Sequence, residues 1–444
     1  MSTEQHVSTP GGTGGSIMSR VLGAVTVVLG AAGTVLWLGA SMSRDETHYF
    51  WGLWLIAAAI VLHLVQVYLV KGRAELIAVV RKSVRKMIVP IMGIIAAIVI
   101  GGVLMLVTGY DPVAAYQALF FGGLVRNWHI SVLNASPLIF TALSVAFAFK
   151  AGLFNIGAEG QYYLGAMAAT WLSLRLALPG VVSLPLIFVF TGLFGAAWAI
   201  VPAYLKVRTG AHEVITTMML AHTARYLSPV FIRANGGDPA TSTHPYVTDE
   251  ILESTFLPRF QLFLPDANYR VHTGILVAVV VALGIHYLLY HTSIGFEIRA
   301  VGENKDAARA QGISVGKNIF RALLLAGFLA GLAGFNQVNG LDHRLFENLQ
   351  AGYGWNGISV ALLAGGNPIG VVFTGLLWGA LDAGGQFMSR TTQTPSAIVE
   401  IVKGTILFLV VARYIYTAIG NWRRKRRQRR NAEADIAAVE SEGA

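Results

Sequence analysis

The residues most able to do chemistry lie between Ala151 and Gln161, in the run AGLFNIGAEGQ. Asn155, Glu159 and Gln161 bring two amides and a carboxylate into a segment that apolar runs flank on both sides. A carboxylate inside a bilayer is costly and marks a functional site by default. These side chains either hydrogen-bond a polar solute or satisfy the backbone of a helix that the nearby glycines break. We predict that they line a pathway.

The elements that position this segment are membrane helices. The chain has 444 residues, of which 55% are hydrophobic and 13% charged, whereas soluble domains carry roughly 25% charged residues. We predict an all-α, polytopic membrane helical bundle with about 10–12 membrane segments, some broken or re-entrant. The clearest spans are 21–40, 50–70, 88–107, 130–149, 181–205, 273–290, 320–338 and 397–415, and less regular ones are 161–176, 216–232, 357–366 and 369–388.

The polar and charged residues divide the chain into four parts. We predict a flexible tail at 1–19, an accessory helical hairpin with a basic linker at 20–87, a transmembrane core at 88–417 and a basic, then acidic tail at 418–444. Basic loops mark the cytoplasmic side. The linker after the second span is rich in Lys and Arg, and 234–272 is mainly acidic. Both termini are therefore expected in the cytoplasm and 234–272 outside.

Composition excludes several classes of function. The net charge is +10, but the run RRKRRQRR at 423–430 supplies most of it. We interpret that run as a cytoplasmic stop after the last span and not as a nucleic-acid site. The chain has no cysteine, which excludes disulfides and thiolate chemistry. The histidines lack zinc-ligand spacing, and no nucleophile, base and acid form a catalytic set.

A second informative run lies between two spans on the predicted cytoplasmic side, at residues 299–313. Asn304 is placed to cap a short helix containing Ala307 and Ala308, and Gly312 is placed to end it. Such a helix either docks in a groove of another protein or is an ordinary loop helix.

Five motifs in order resemble the permeases of ABC importers. The pattern G-x-N-x-x-A-A-x-x-x-G-I at 302–313 resembles the cytoplasmic coupling loop of the simple-sugar and nucleoside (branched-chain amino acid permease-like) family. GLFNIGAEGQ at 152–161 resembles the signature of its nucleoside branch. HEVITTMML at 212–220, GYGWNGISVALL at 352–363 and GNPIG at 366–370 resemble three further family elements. The resemblance covers roughly residues 90–417, and His212 and His222 depart from the family, which more often has asparagine there.

The resemblance implies a transmembrane permease subunit that moves a small polar solute, with nucleosides favoured and simple sugars open. It implies three groups of site residues. The first is an ATPase coupling site at Gly302, Glu303, Asn304, Ala307, Ala308 and Gly312. The second is a further cytoplasmic contact at Glu213, Thr216 and Thr217. The third is a set of pathway or substrate residues, namely Phe154, Asn155, Glu159, Gln161, Asn336, Gln337, Trp355 and Asn356.

The resemblance also implies partners. They are a cytoplasmic ABC ATPase, a second permease subunit (the same chain or a paralogue), an external solute-binding protein and the lipid of a bacterial cytoplasmic membrane; no nucleic acid is expected. The chain is not expected to be an enzyme or to hold a cofactor, and ATP and magnesium belong to the partner subunits. The segment nearest to a P-loop, at 311–318, has Asn318 where that motif needs a hydroxyl.

Alternatives remain open at several residues. An ion-coupled secondary transporter would need Glu159 or Asp382 to titrate or to bind Na⁺, and an intramembrane enzyme would need a catalytic set. The aromatic residues Phe154, Tyr353 and Trp355 either stack on the solute or pack in the bundle. The amides of Asn336 and Gln337 either contact the solute or pack between helices, and Asp382 and Gln386 either contact the substrate or form an interhelical bond.

Two further features concern the structure of the bundle. Glu400 and Lys403 are spaced to form an ion pair. The similarity between 151–157 and 351–357 reflects either an internal repeat or chance.

Overall fold

The computed structural model describes residues 93–236, 247–260, 270–347, 349, 352–410 and 422. Four sequence predictions lie outside the described residues: the tail at 1–19, the hairpin and linker at 20–87 with its two spans, the first part of the span 88–107, and the tail at 418–444 except Trp422.

The described residues form thirteen α-helices. They are α1 Gly93–Val107, α2 Pro112–Phe121, α3 Trp128–Lys150, α4 Ala158–Ser173, α5 Gly180–Thr209, α6 Glu213–Asn235, α7 Gly274–His291, α8 Ser293–Glu303, α9 Lys305–Ala310, α10 Val315–Gln337, α11 Tyr353–Leu363, α12 Pro368–Thr392 and α13 397–410. Two π-helical turns, Gly122–Arg126 and Val338–Asp342, precede α3 and follow α10. Among the described residues, β-structure is limited to two isolated bridges.

The predicted all-α membrane bundle is confirmed. Among the described residues, five helices are long and apolar enough to cross a membrane: α3, α5, α7, α12, and α10 with its π turn. Helices α1, α4 and α11 are shorter, and α6 carries polar residues along one side. The apolar spans predicted at 130–149, 181–205, 273–290, 320–338 and 369–388 all fall inside observed helices.

Helices α3 and α10 form the centre of the bundle. In the most apolar part of α3, 89% of the residues are buried. Small residues let α10 approach its neighbours closely. Gly327 and Gly331 lie against α5 at Gly195, and Gly334 lies against Gly165 of α4. A side chain at any of the three would overlap the backbone of the facing helix. Close approach through small residues is typical of helix packing in membranes.

Two breaks interrupt the helices. The chain leaves α3 at Lys150 and enters α4 at Ala158, so the predicted break is confirmed. The second break lies before α11, which is only 11 residues long. Gly152 and Gly352 both have positive φ, of 69° and 112°, a conformation that glycine adopts without a steric penalty. The internal repeat itself stays a prediction.

The described part of the acidic segment, 247–260, covers one end of the bundle. Its backbone donates hydrogen bonds to the carbonyl of Ser173 at the end of α4 and to Asn339 in the π turn after α10. The Asn339 amide donates back to Ser173 Oγ at 2.8 Å and to the Thr255 carbonyl at 2.9 Å. This end lies opposite the break at 151–157 along α4. The side of the membrane on which this end lies stays a prediction, because the basic linker lies outside the described residues.

Candidate functional site

Glu159 joins the two breaks. It lies in the first turn of α4, and only 4% of its surface is exposed. Its Oε1 accepts a hydrogen bond from the Gly352 N–H at 2.8 Å, and its Oε2 accepts one from the Gly354 N–H at 2.6 Å. Both N–H groups belong to the first turn of α11, where a helix leaves four backbone donors without partners. A carboxylate is also favoured there by the helix dipole. We call Glu159, Gly352 and Gly354 the clamp.

Asn155 and Gln161 hold the first break from within. Both are fully buried, at 0% and 1% exposure. The Asn155 amide donates to Ser144 Oγ of α3 at 3.0 Å and to Gln161 Oε1 at 2.9 Å, and Gln161 Nε2 donates back at 3.4 Å. Between them, Gly157 packs against Thr217 of α6. In this conformation the amides that the sequence assigned to a pathway are bonded to the protein.

The other predicted pathway residues lie in different places. Asn336 and Gln337 are buried near the end of α10, and Gln337 Nε2 donates to Asp342 Oδ2 at 2.8 Å. Phe154 packs on Phe149, with ring centroids 5.0 Å apart. Trp355 is 40% exposed on the outer side of α11. Of the predicted set, Asn155, Glu159 and Gln161 come together at the break, and Trp355 and Asn356 lie beside the clamp on α11.

Polar residues on α6 were missed by the sequence analysis. His222, Thr223 and Arg225 are exposed on one face of this helix, and the His222 ring lies 6.5 Å from that of Trp355. Lipid would be a costly environment for an arginine at this depth. The face therefore suits an aqueous pathway or a protein partner better. The signal was present, since Arg225 is a charged residue inside the predicted span 216–232.

A polar cavity of about 230 Å³ lies between α3, α11, α12 and α13. Its lining includes the amides of Asn134, Asn356 and Gln386, which sequence analysis did not group together. The cavity also has a charged wall. Lys403 is 97% buried, lies beside Trp378 and bonds to Asp382 and to Glu400, the latter at 2.8 Å. The predicted Glu400 and Lys403 pair is confirmed, and the Asp382 carboxylate makes an interhelical ion pair.

The loop at 299–313 folds as its sequence predicts. Asn304 Oδ1 accepts hydrogen bonds from the Asp306 and Ala307 N–H groups, both at 3.0 Å, and so caps α9. Gly312 follows the helix with a φ of 78°. Glu303, Asn304, Ala307 and Gly312 are exposed, whereas Ala308 is buried. We call residues 304–312 the coupling loop.

Helix α8, which directly precedes the coupling loop, contacts the first break. Gly302, at the end of α8, packs directly on the Lys150 carbonyl and on Gly152. A Cβ at Gly302 would overlap the Lys150 oxygen and would lie 2.9 Å from the Gly152 nitrogen. Gly302 therefore places the end of α8 against the residues at which the first break begins.

The predicted second cytoplasmic contact lies at the start of α6. Glu213 Oε2 pairs with Lys206 of α5 at 2.6 Å. Thr217 is buried against Gly157, and Thr216 is partly exposed. Of these three residues, Thr217 therefore touches the first break, at Gly157. The searched, described residues contain no group of three or more His, Cys, Asp or Glu able to hold a metal ion.

Comparisons with known proteins agree with this arrangement. Residues 129–411 match the family model described as the branched-chain amino acid transport system permease component. The chain is 34% identical over 336 residues to a guanosine ABC transporter permease protein of Bacillus subtilis, covering 75% of this chain and 95% of the relative. It is 34% identical over 335 residues to a glucose ABC transporter permease protein of Haloferax volcanii, covering 73% and 87%.

A third relative is a nucleoside ABC transporter permease protein of Lactococcus lactis. It is 31% identical over 347 residues, which cover 74% of this chain and 92% of the relative. No solved structure matches the chain.

Proposed function

This chain belongs to the branched-chain amino acid transport system permease family and is the multi-pass permease subunit of an ABC importer, and we propose that its solute is a nucleoside. Two of the relatives above are permeases for guanosine or for nucleosides. The glucose permease is equally similar at 34% identity. Both solute classes are uncharged and rich in hydroxyls, so the site must hydrogen-bond a neutral polar molecule.

The contact of Gly302 with Lys150 and Gly152 is the observation that best supports an ATP-coupled mechanism. An ATPase subunit docks on the exposed coupling loop and moves it together with α8. Because Gly302 packs against the backbone of the first break, the movement reaches Glu159, whose carboxylate holds the start of α11. The two breaks then shift together, and the bundle changes from outward-open to inward-open.

The partners follow from this mechanism. ATP and magnesium bind to cytoplasmic ATPase subunits, and this chain contributes no catalytic residue. The exposed polar face of α6 and Trp355 of α11 line the solute pathway opposite a second permease subunit, identical or paralogous. An external protein delivers the solute to the end covered by 247–260. The chain lies in the bacterial cytoplasmic membrane with both termini in the cytoplasm.

An ion-coupled secondary transporter has less support. It would use Glu159 or Asp382 to carry a proton or Na⁺. In the described structure both carboxylates already have partners, the α11 backbone for Glu159 and Lys403 for Asp382. A carboxylate that carries an ion must exchange its partners during each cycle.

Uptake by cells that express the complete transporter tests this proposal. Radiolabelled guanosine should accumulate, unlabelled nucleosides should compete, and glucose should not. Depletion of ATP with the ion gradients kept intact should stop accumulation. Accumulation that survives ATP depletion but stops when the ion gradient is removed would favour the secondary transporter. Competition by glucose and not by nucleosides would indicate that the solute is a sugar.

A further inference from the structure

The cavity between α3, α11, α12 and α13 has polar walls at the depth of the membrane helices. Three amides from three different helices contribute to its lining: Asn134 of α3, Asn356 of α11 and Gln386 of α12. None of the three side chains makes a hydrogen bond to another residue that the structure describes. Asn134 is 94% buried. A buried amide without a partner costs about 1–3 kcal/mol, so Asn134 is suited to a ligand or to water that a ligand replaces. Asn356 is half-buried and Gln386 is exposed, and both amides face the same cavity.

The size of the cavity limits its occupant. Sites for drug-sized ligands have volumes of about 300–1,000 Å³, and this one has about 230 Å³. It therefore suits one ring of a nucleoside with its hydroxyls. Amide groups offer a donor and an acceptor each, which matches hydroxyl groups that donate and accept.

The charges on the wall select against anions. Asp382 and Glu400 line the cavity, and Lys403 lies between their carboxylates. These three groups carry a net charge of −1 when ionised. A phosphate group placed here would face a surplus carboxylate. The repulsion would be stronger at Asp382, whose side chain is 23% exposed, than at Glu400, whose side chain is 64% exposed.

We propose that this cavity binds one ring of an uncharged nucleoside, with its hydroxyls, through the amides of Asn134, Asn356 and Gln386 and rejects the phosphorylated form of the nucleoside through the Asp382 and Glu400 carboxylates. The inference rests on the proposed function and adds to it a location and a basis for choosing nucleosides over nucleotides.

Binding of radiolabelled guanosine to the complete transporter in nanodiscs, without the external binding protein, tests the proposal. Gln386→Met removes one amide at an exposed helix position and keeps the chain's length and flexibility. Gln117→Met makes the same change at an exposed position of α2, away from the cavity. We expect Gln386→Met to weaken binding about fivefold, the equivalent of one hydrogen bond, and Gln117→Met to leave it unchanged. Asn134→Leu should weaken binding further.

The outcomes separate the two proposals. Guanosine monophosphate should fail to displace guanosine from the wild-type transporter, and should begin to compete in Glu400→Gln. Equal binding by Gln386→Met and Gln117→Met would overturn the cavity assignment, and so would the absence of guanosine binding at millimolar concentration. Either result leaves the proposed function standing if cells still take up guanosine. If cells that express the wild-type transporter showed no ATP-dependent guanosine uptake, the proposed function itself would be overturned.

Discussion

The clamp and the coupling loop both contain or adjoin glycines, but they differ in the hydrogen bonds that stabilise them. The clamp is buried and joins distant parts of the chain, with the Glu159 carboxylate bonded to the N–H groups of Gly352 and Gly354. The coupling loop is exposed, and its Asn304 cap bonds to residues only two and three positions away. The clamp therefore depends on the whole bundle, whereas the loop can fold locally.

This difference suggests a division of work. A rigid clamp transmits a displacement without absorbing it, and an exposed loop leaves its side chains available to a partner. Gly302 connects the two, because it packs on Lys150 and Gly152 at the entrance to the first break. Damage to the clamp should therefore reduce stability and transport together. Damage to the loop should reduce transport while the folded chain remains in the membrane.

Gly354→Ala should have the largest effect. The added Cβ would overlap the Glu159 backbone, so α11 and α4 must separate, at a cost of about 3 kcal/mol. Thermal unfolding followed by size-exclusion fluorescence should show a lower Tm, and guanosine uptake should be lost. Gly284→Ala is the matched control, since a Cβ there meets no atom within 4 Å. A normal Tm for Gly354→Ala would show that the clamp can move apart freely.

Glu159→Gln should have the next largest effect. The amide keeps one acceptor oxygen but turns an NH₂ group towards a backbone N–H, which loses a charged hydrogen bond at about 1.5–3 kcal/mol. The Tm and uptake should fall together. Glu303→Gln makes the same change at an exposed position beside the loop and should leave the Tm unchanged. If Glu159→Gln kept its Tm but lost solute binding, the carboxylate would belong to the solute site instead.

The two regions also differ in how far the sequence predicted them. The Asn304 cap, α9 and the end of that helix at Gly312 follow from local signals, and all were predicted. The break at 151–157 was predicted from its glycines and polar residues. The partners of Glu159 were not, because Gly352 lies 193 residues away along the chain and one sequence contains no signal for that pairing.

The cavity shows a second reason for failure. Asn134 lies inside the apolar span predicted at 130–149, and a single amide barely changes the hydropathy of such a run. Its partners in the cavity come from other helices whose packing a sequence pattern does not fix. Arg225 differs from Asn134, because a charged residue inside a predicted span is a clear sequence signal for a pathway residue.

Gly312→Val tests the loop side of the comparison. The residue has a φ of 78° and no atom within 4 Å of an added Cβ, so the cost is local backbone strain of about 1–3 kcal/mol. We expect uptake to fall about tenfold, the equivalent of 1.4 kcal/mol of coupling, while ATP hydrolysis continues and the Tm stays near normal. Gly109→Val carries the same strain at an open position with a φ of 84° and should keep its uptake. Normal uptake by Gly312→Val would remove this residue from the coupling site.

Asn304→Ala should have the smallest effect of the four and gives the sharpest comparison. The change removes one cap from α9, which typically costs about 1 kcal/mol, and a helix of six residues has few other contacts to keep it formed. Asn367→Ala removes a similar cap, whose Oδ1 accepts the Ile369 N–H at 3.1 Å, from the much longer α12. Because packing along 25 residues stabilises α12, loss of the Asn367 cap should change uptake little. We expect Asn304→Ala to lower uptake several-fold more than Asn367→Ala at equal Tm. Equal uptake by both would mean that the ATPase subunit itself holds α9 in shape, so that the cap matters only in the free chain.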